Sequence, residues 1–592
     1  MYTPLKINQK PRTNTVITSM AVKGVNLRDL AQLLNTDYAQ KIQNYEPIAK
    51  YRLRKRKGKE AVLSIAGANP VTGFVEFSDN YWLFGRAGIY AAYEVSTETV
   101  TSIKTDFAAN DGFSADEYGG YAFVLNGVDA LQRITATLAY SGQTANFAAG
   151  DVLTGGTSGA TAIVVTDADG GATGTLTLSD ITGVFQNGEI ITSNTGGSAT
   201  VNGILTWVAT AVAAAPRGHL VKSINGRLFI LKDSDTFYSD LDTGANPPFQ
   251  NWTVATLADS PGRVSYRNAG KANSILELGQ FILVFADKGK YAFYINTIDS
   301  AGTLSKVDVF QMSRLDAGGA KGAINTPAGV FYANEAGLWQ LLSVGTESLP
   351  FSDQEQETSI FLGDDYFENI TLGNATLAYD ANKFTVYLSC AKSSEVNNLI
   401  IAYKTKENTG FHTFSGWNIN QWLNLDGIIY GASSVETKIF KCFSGYEDDG
   451  ADISTAYTQE LQVGQQDTAK DLNETAIQAK LSPSSVINIS YDIYDYVNDY
   501  IKDKLKLQME TTNVNLDSDG YNSAAYNGSA YNGGGEAPGL VDTFANDGRV
   551  IRRFRRIILK ISEQSKLPHE INWVKVRVTE TALIRKRQLT LA

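Results

Sequence analysis

Short apolar and aromatic runs, each closed by a polar turn and followed by a second run, recur through the middle of the chain. Gly329-Val-Phe-Tyr-Ala-Asn-Glu-Ala-Gly-Leu-Trp-Gln-Leu-Leu342 is the clearest example, and the pattern predicts strand, turn, strand. Asn225-Gly226 leads in the same way into Leu228-Phe-Ile-Leu231 and Thr236-Phe-Tyr238, and Gly279 into Phe281-Ile-Leu-Val-Phe285 and Lys290-Tyr-Ala-Phe-Tyr294. Asp426-Gly427 leads into Ile428-Ile-Tyr430 and Lys438-Ile-Phe440. The glycines at 226, 279, 329 and 427 lie 53, 50 and 98 residues apart, so a unit is expected near 380, where Asp380-Ala-Asn-Lys383 precedes Phe384-Thr-Val-Tyr-Leu388. Upstream, Asp79-Asn80 precedes Tyr81-Trp-Leu-Phe84, and Gly119-Gly120 precedes Tyr121-Ala-Phe-Val-Leu125. A repeat of about 40 to 50 residues built of short strands is the signature of β-propeller blades. Seven units are counted, and the propeller is expected over 61–455.

The interval from Gly120 to Gly226 is 106 residues, one small domain too long. Within it, 138–207 is rich in Gly, Thr, Ala and Ser and repeats itself at 38 residues. Phe147-Ala-Ala-Gly-Asp-Val-Leu-Thr154 matches Phe185-Gln-Asn-Gly-Glu-Ile-Ile-Thr192, and Thr157-Ser-Gly159 matches Thr195-Gly-Gly197. Two similar halves predict a small barrel or sandwich looped out of a blade. Lengthening a loop to about 70 residues costs roughly 2.5 kcal/mol of closure entropy, so the insertion is tolerable.

Before the propeller, residues 1–60 form a basic arm and docking segment. Leu27, Leu30, Leu34, Tyr38 and Ile42 share one helical stripe behind Asn26 as N-cap, which allows one N-terminal helix. After the propeller, 456–592 carries longer alternating strands such as Ile487-Asn-Ile-Ser-Tyr-Asp-Ile493, and a C-terminal β-sandwich is expected. It is interrupted by an excursion over 507–548 with Tyr521, Tyr526 and Tyr531 each followed by Asn. Aromatic tips on so long a loop favour contact with a partner. The fold class is therefore mainly all-β.

Composition fits this picture: 592 residues, 43% hydrophobic, with 53 Gly and 13 Pro. Residues 1–15 lack the apolar core of a signal peptide, and the longest apolar run, 207–215, is too short to cross a bilayer, so no membrane insertion is expected. Cys390 and Cys442 read as reduced core thiols. Charge is unevenly spread. The net is −11, yet residues 1–60 and 549–592 each carry +9, which leaves −29 between two basic ends.

Those ends supply the candidate contacts. Arg52, Arg54, Lys55, Arg56 and Lys57 alternate through Tyr51-Arg-Leu-Arg-Lys-Arg-Lys-Gly58, and Arg552, Arg553, Arg555 and Arg556 flank Phe554. Either run can meet DNA phosphates or an acidic protein surface; the bland readings are a solvated strand face and a basic edge strand that resists aggregation. Catalytic chemistry finds no carrier. His219, His412 and His569 are scattered without metal-ligand spacing, and no phosphate loop, nucleophile elbow or H-E-x-x-H occurs. Asp448-Asp-Gly-Ala-Asp452 and Asp517-Ser-Asp-Gly520 start like calcium loops but lack the closing acid, so turns are expected. No catalytic residue, cofactor or metal is assigned. A carboxylate pair assembled from distant blades, as in a propeller-type carbohydrate-active tail enzyme, stays open, as does a non-viral propeller scaffold.

Ala31-Gln-Leu-Leu-Asn35, the basic run ending at Gly58, the aromatic blades with the hairpin Tyr403 to Phe411-His-Thr-Phe-Ser-Gly-Trp417, and a C-terminal β domain together resemble the tail nozzle proteins of short-tailed bacteriophages. These are also called packaged-DNA stabilisation or tail accessory proteins. The Gly/Thr-rich module is similar to inserts common in phage structural proteins. A departure is Lys59-Glu60 where a Pro-Gly type of turn is expected. The resemblance implies a non-enzymatic virion tail protein assembled in the bacterial host cytoplasm as a homohexameric ring. Its implied partners are the adaptor or head-to-tail connector, a tail fibre or spike, and the double-stranded DNA that passes through the channel. An acidic channel wall would repel phosphates over the roughly 8 Å that physiological salt allows.

Overall fold

A computed structural model describes residues 14–580 apart from 19–22, 29–37, 50–51, 66–68, 109–111, 241–251, 253–261, 267–268, 280, 295–307, 314–321, 335–336, 342–354, 363, 407–409, 462–469, 483–484, 496–500, 511–540 and 548–550. The turns marked in the sequence by Asn80, Gly120, Gly226, Gly279, Gly329, Lys383 and Gly427 each join the first and second strands of one four-stranded antiparallel blade. Asn225-Gly226 and Asp426-Gly427 have φ of 48°, 72° and 49°, 78°, the paired positive values of a tight type I′ hairpin.

Blade 1 comprises Val71–Ser78, Tyr81–Arg86, Ile89–Glu94 and Thr99–Lys104. Blade 2 comprises Ser114–Tyr118, Tyr121–Leu125, the start of Gln132–Ala145, and Thr206–Ala211. Blades 3, 4 and 5 begin at Leu220, Ala272 and Ile324 and end at Ser265, Ser313 and Glu357. Blade 6 runs from Ile370–Asp380 to Gly410–Ser415. Blade 7 has Ile419–Leu425, Ile428–Ser433 and Lys438–Ser444, and its outer strand is Gly58–Ser64 from the other end of the chain. The ring is thus closed non-covalently by an N-terminal strand.

Second strands such as Tyr121–Leu125 and Phe281–Ala286 are buried along their whole length, because each blade is covered on both faces by its neighbours. Each of the seven seams holds an apolar cluster. Trp82 meets Tyr430 across the 7–1 seam at 4.8 Å, Phe285 meets Tyr332 across 4–5 at 5.3 Å, and Phe331 meets Tyr403 across 5–6 at 5.9 Å. Such pairs add about 0.5–1.5 kcal/mol each beyond area burial.

The insert is a closed six-stranded barrel. Its strands run in the order Gln132–Ala145, Thr173–Thr182, Thr161–Asp169, Val152–Gly155, Ile190–Ser193 and Ser198–Val201, and the last pairs back onto the first. Gln132–Ala145 serves both bodies: residues 132–137 pair with blade 2 and 136–145 with the barrel. The 38-residue repeat is reciprocal in space. Glu189 of the second half accepts the amides of Thr157 and Ser158 at 3.1 and 2.9 Å, while Asp151 of the first half accepts the Thr195 hydroxyl at 2.7 Å.

The C-terminal strands form a sandwich whose interior is filled by alternate residues, among them Ile487, Ile489, Tyr491, Ile557, Leu559, Ile561, Val576 and Val578. Four N-terminal strands complete it: Asn14–Thr18, Lys41–Gln43, Tyr45–Ala49 and Arg52–Lys55. Lys41–Gln43 pairs antiparallel with Ile453–Leu461 and touches Gly410–Ser415 in parallel at Gln43↔Thr413, so this platform is continuous with blade 6. The N-terminal helix expected from the leucine stripe is corrected at its second half. Ala39 bridges to Val25 and Ile42 lies in a strand, because two platform neighbours satisfy that backbone and the core takes up the fully buried Ile42. The first half of the stripe, 29–37, lies outside the described residues, as do Tyr521, Tyr526 and Tyr531.

Candidate functional site

The basic run 52–57 lies where platform, blade 6 and blade 7 meet, and the structure sorts its members by strand parity. Leu53 and Lys55 face inward on Arg52–Lys55. Lys55 is fully buried and its Nζ donates to Glu563 at 3.0 Å and to the carbonyls of Ser565 and Leu567. Burial pushes the ammonium down and the Glu563 carboxyl up, each opposed by the charge of the other. Tyr45 and His569 complete this pocket, with the phenol oxygen 2.9 Å from His569 Nε2 and Thr455 Oγ1 donating to it at 3.1 Å. Burial first, and then Lys55, hold the imidazole well below its usual range.

Arg56, also fully buried, turns the other way into the propeller. Its guanidinium donates to Asp448 Oδ1 at 2.8 Å, to the Ser415 carbonyl at 2.9 Å and to Asn44 Oδ1 at 2.9 Å, and lies 4.7 Å from the Trp417 ring centroid. Asp448 also accepts from Trp417 Nε1 at 2.7 Å. The sequence that began like a calcium loop therefore spends its first carboxylate on an internal ion pair. Arg52 and Arg54 both bond Glu570, the former at 2.7 Å. Lys57 is exposed.

The expectation that this run contacts DNA or a partner is corrected for Lys55 and Arg56. Both are removed from solvent, because a charge at a buried position is held only when paired and hydrogen-bonded. Arg52 and Arg54 are partly exposed but bound by one buried glutamate, which joins the N-terminal strands to the platform. Arg556 pairs with Glu460 at 3.3 Å and lies 4.0 Å from the Tyr494 centroid. Arg552, Arg553 and Arg555 belong to the strand Ile551–Ser565, and their side chains lie outside the described residues.

The partners that sequence reading missed are Glu563, Glu570 and Asp448. A signal existed for one of them. Glu563 continues the inward series Ile557, Leu559, Ile561, and Lys55 follows Leu53 at the same spacing. Opposite charges on two inward faces point to a buried pair.

The histidines are dispersed, as their spacing predicted. His219 Nε2 lies 2.6 Å from the Ala272 carbonyl, and His412 is buried on blade 6, where desolvation drops its pKa to about 3. Among the described residues, no group of three or more His, Cys, Asp or Glu could hold a metal ion. A cavity of about 750 Å³ is lined by first-strand residues of blades 1, 2, 3, 4, 6 and 7, namely Thr72, Ser114, Lys222, Asn273, Thr376 and Asn420, and by Gly322 and Ala323 just ahead of blade 5. Lys222 there pairs with Asp116 at 2.9 Å.

Topology also separates charge. The platform segments, 1–60 and 453–592, hold 30 Lys/Arg against 21 Asp/Glu, or +9; propeller and barrel, 61–452, hold 21 against 41, or −20. No family model matches the chain, and no curated protein does. Solved structures similar to part of it include Kluyveromyces lactis Hsv2, 9% identical over 58% of this chain and 97% of that one with a TM-score of 0.23. The same protein with a complete loop 6CD is 10% identical over 57% and 94%, again at 0.23. Scores this low carry no argument, and the propeller rests on its own closed set of sheets.

Proposed function

We propose that the chain is a structural subunit of a phage tail nozzle, six copies of which form a ring below the adaptor and portal through which the genome is retained and then ejected. The observation that carries this reading is the charge separation: a basic platform built from both chain ends is fixed to an acidic propeller and barrel. The platform suits docking to an acidic adaptor, and the acidic body suits a passage that DNA crosses without adhering. Buried ion pairs at the junction keep the two bodies in one orientation, which a load-carrying ring requires. The chain performs no catalysis in this role.

The test is the mass of the purified full-length chain, measured with electron microscopy at about 10 µM, where an interface of micromolar Kd is largely occupied. A ring of about 385 kDa, six times the 64.1 kDa chain, is expected. A monomer with no ring, or release of reducing sugar from host polysaccharide, overturns the reading, the latter in favour of a depolymerase.

A further inference from the structure

One face of the platform carries a lysine row of which only the middle member is taken up by an ion pair among the described residues. Five strands lie side by side here: Ile501–Glu510, Val486–Asp495, Ile551–Ser565, Ile453–Leu461 and Lys41–Gln43. Their registers place Lys506 opposite Ser490, Ser490 opposite Lys560, Lys560 opposite Thr458, and Thr458 opposite Lys41. Directly opposed residues share a face. The sheet therefore presents Lys506, Ser490, Lys560, Thr458 and Lys41 in a line across its strands, with the three lysines exposed. Strand spacing of 4.7–4.9 Å sets neighbouring lysines about 9.6 Å apart. Lys560 pairs with Asp492 and stays half exposed; Lys41 and Lys506 make no ion pair among the described residues. The row on one side, through Gln508, Asn488, Ser562, Ala456 and Gln43, contains no charge, and the row on the other, through Lys504, Asp492, Ile558 and Glu460, contains two acids, of which Asp492 pairs with Lys560.

Three lysines in line across the sheet, two of them without an ion pair among the described residues, suit an acidic counter-surface, and the segment that builds propeller and barrel, 61–452, carries a net −20. We infer that the Lys41–Lys560–Lys506 row docks on the acidic body of a second copy of this chain, a heterologous contact between two different patches. Such a contact closes into a ring or runs on as an open filament. The inference rests on the ring reading above and adds which face makes the subunit contact.

The test compares wild type, K41E/K506E and K41R/K506R full-length chains by sedimentation over a concentration series. Circular dichroism and thermal unfolding check that each is folded. Wild type assembles, the arginine pair assembles equally, and the glutamate pair needs at least 10-fold more protein; added NaCl weakens wild-type assembly. If the folded glutamate pair assembles like wild type, the inference falls while the ring reading stands. A monomeric wild type removes both. A fluorescent 30-base-pair DNA is the second arm. If the glutamate pair loses DNA binding with assembly unchanged, the row is a nucleic-acid face and the inference is wrong.

Discussion

Asp448→Ala should be among the most damaging single changes in the molecule, although the residue sits in a loop. It deletes both oxygens that face the Arg56 guanidinium and the only acceptor shown for Trp417 Nε1. Arg56 is fully buried, and its remaining acceptors are three neutral oxygens: Asn44 Oδ1, the Ser415 carbonyl and the Lys57 carbonyl. Breaking a buried pair from one side costs about 3–5 kcal/mol. Asp448→Asn retains one acceptor and should lose roughly half as much. The double variant R56M/D448L, which removes both charges, should recover much of the loss. Equilibrium urea unfolding followed by tryptophan fluorescence reads the effect, with Trp417 reporting on the junction. If D448A unfolds within about 0.5 kcal/mol of wild type, as an unexceptional surface substitution would, the buried-pair account of this junction is wrong. Should the double variant be as damaged as D448A, packing around Trp417 rather than stranded charge is the cause.

Further consequences follow from burial elsewhere. His412 is held neutral down to about pH 3 by desolvation, with Lys404 and Lys383 adding to the effect and Glu46 opposing it, whereas the unfolded imidazole takes its proton near 6.5. Its folded value is depressed, so the unfolded chain binds the extra proton; stability is fully present above pH 6.5 and falls towards pH 3. The loss amounts to roughly 3 kcal/mol by pH 4.5, and His412→Gln should flatten that part of the stability–pH curve relative to wild type. Cys390 and Cys442 are buried thiols pushed up to about 12, so Ellman's reagent at pH 8 should label neither in the native chain and two per chain in denaturant. Glu189→Ala strands the amides of Gln186, Thr157 and Ser158, costing the barrel about 2–3 kcal/mol, and hydrogen exchange should speed at those amides while the blades keep their protection.

The blades were legible in the sequence because each hairpin is local: a Gly, Asn or Asp at the turn and two apolar runs within about 15 residues define it. The barrel was legible for the same reason, as a repeat at fixed spacing. What could not be read was anything set by distant pairing. Gly58–Ser64 is chemically an ordinary strand, and nothing in it announces a partner at Lys438–Ser444. The second half of the expected helix failed because Ile42, the last member of a helical stripe, equally suits a strand, and the platform's open sheet decides between them. Lys55 and Arg56 read as contact residues because charge alternation looks the same whether the countercharge is solvent, DNA or Glu563 and Asp448.

The junction also explains why the charge is separated at all. Closing the ring with Gly58–Ser64 forces residues 52–57 to lie against the strands that follow blade 7, and the C-terminal chain must return there to supply Glu563 and Glu570. The described strands of both basic ends are thereby gathered into one body, where Lys55 is matched by Glu563, Arg56 by Asp448, and Arg52 and Arg54 together by Glu570. Deleting residues 1–64 should therefore do more than trim an arm. It removes the outer strand of blade 7, four platform strands and the cations that neutralise Glu563, Glu570 and Asp448. Limited proteolysis should then cut within blade 7 and the platform together, whereas loss of a dispensable arm would leave both resistant.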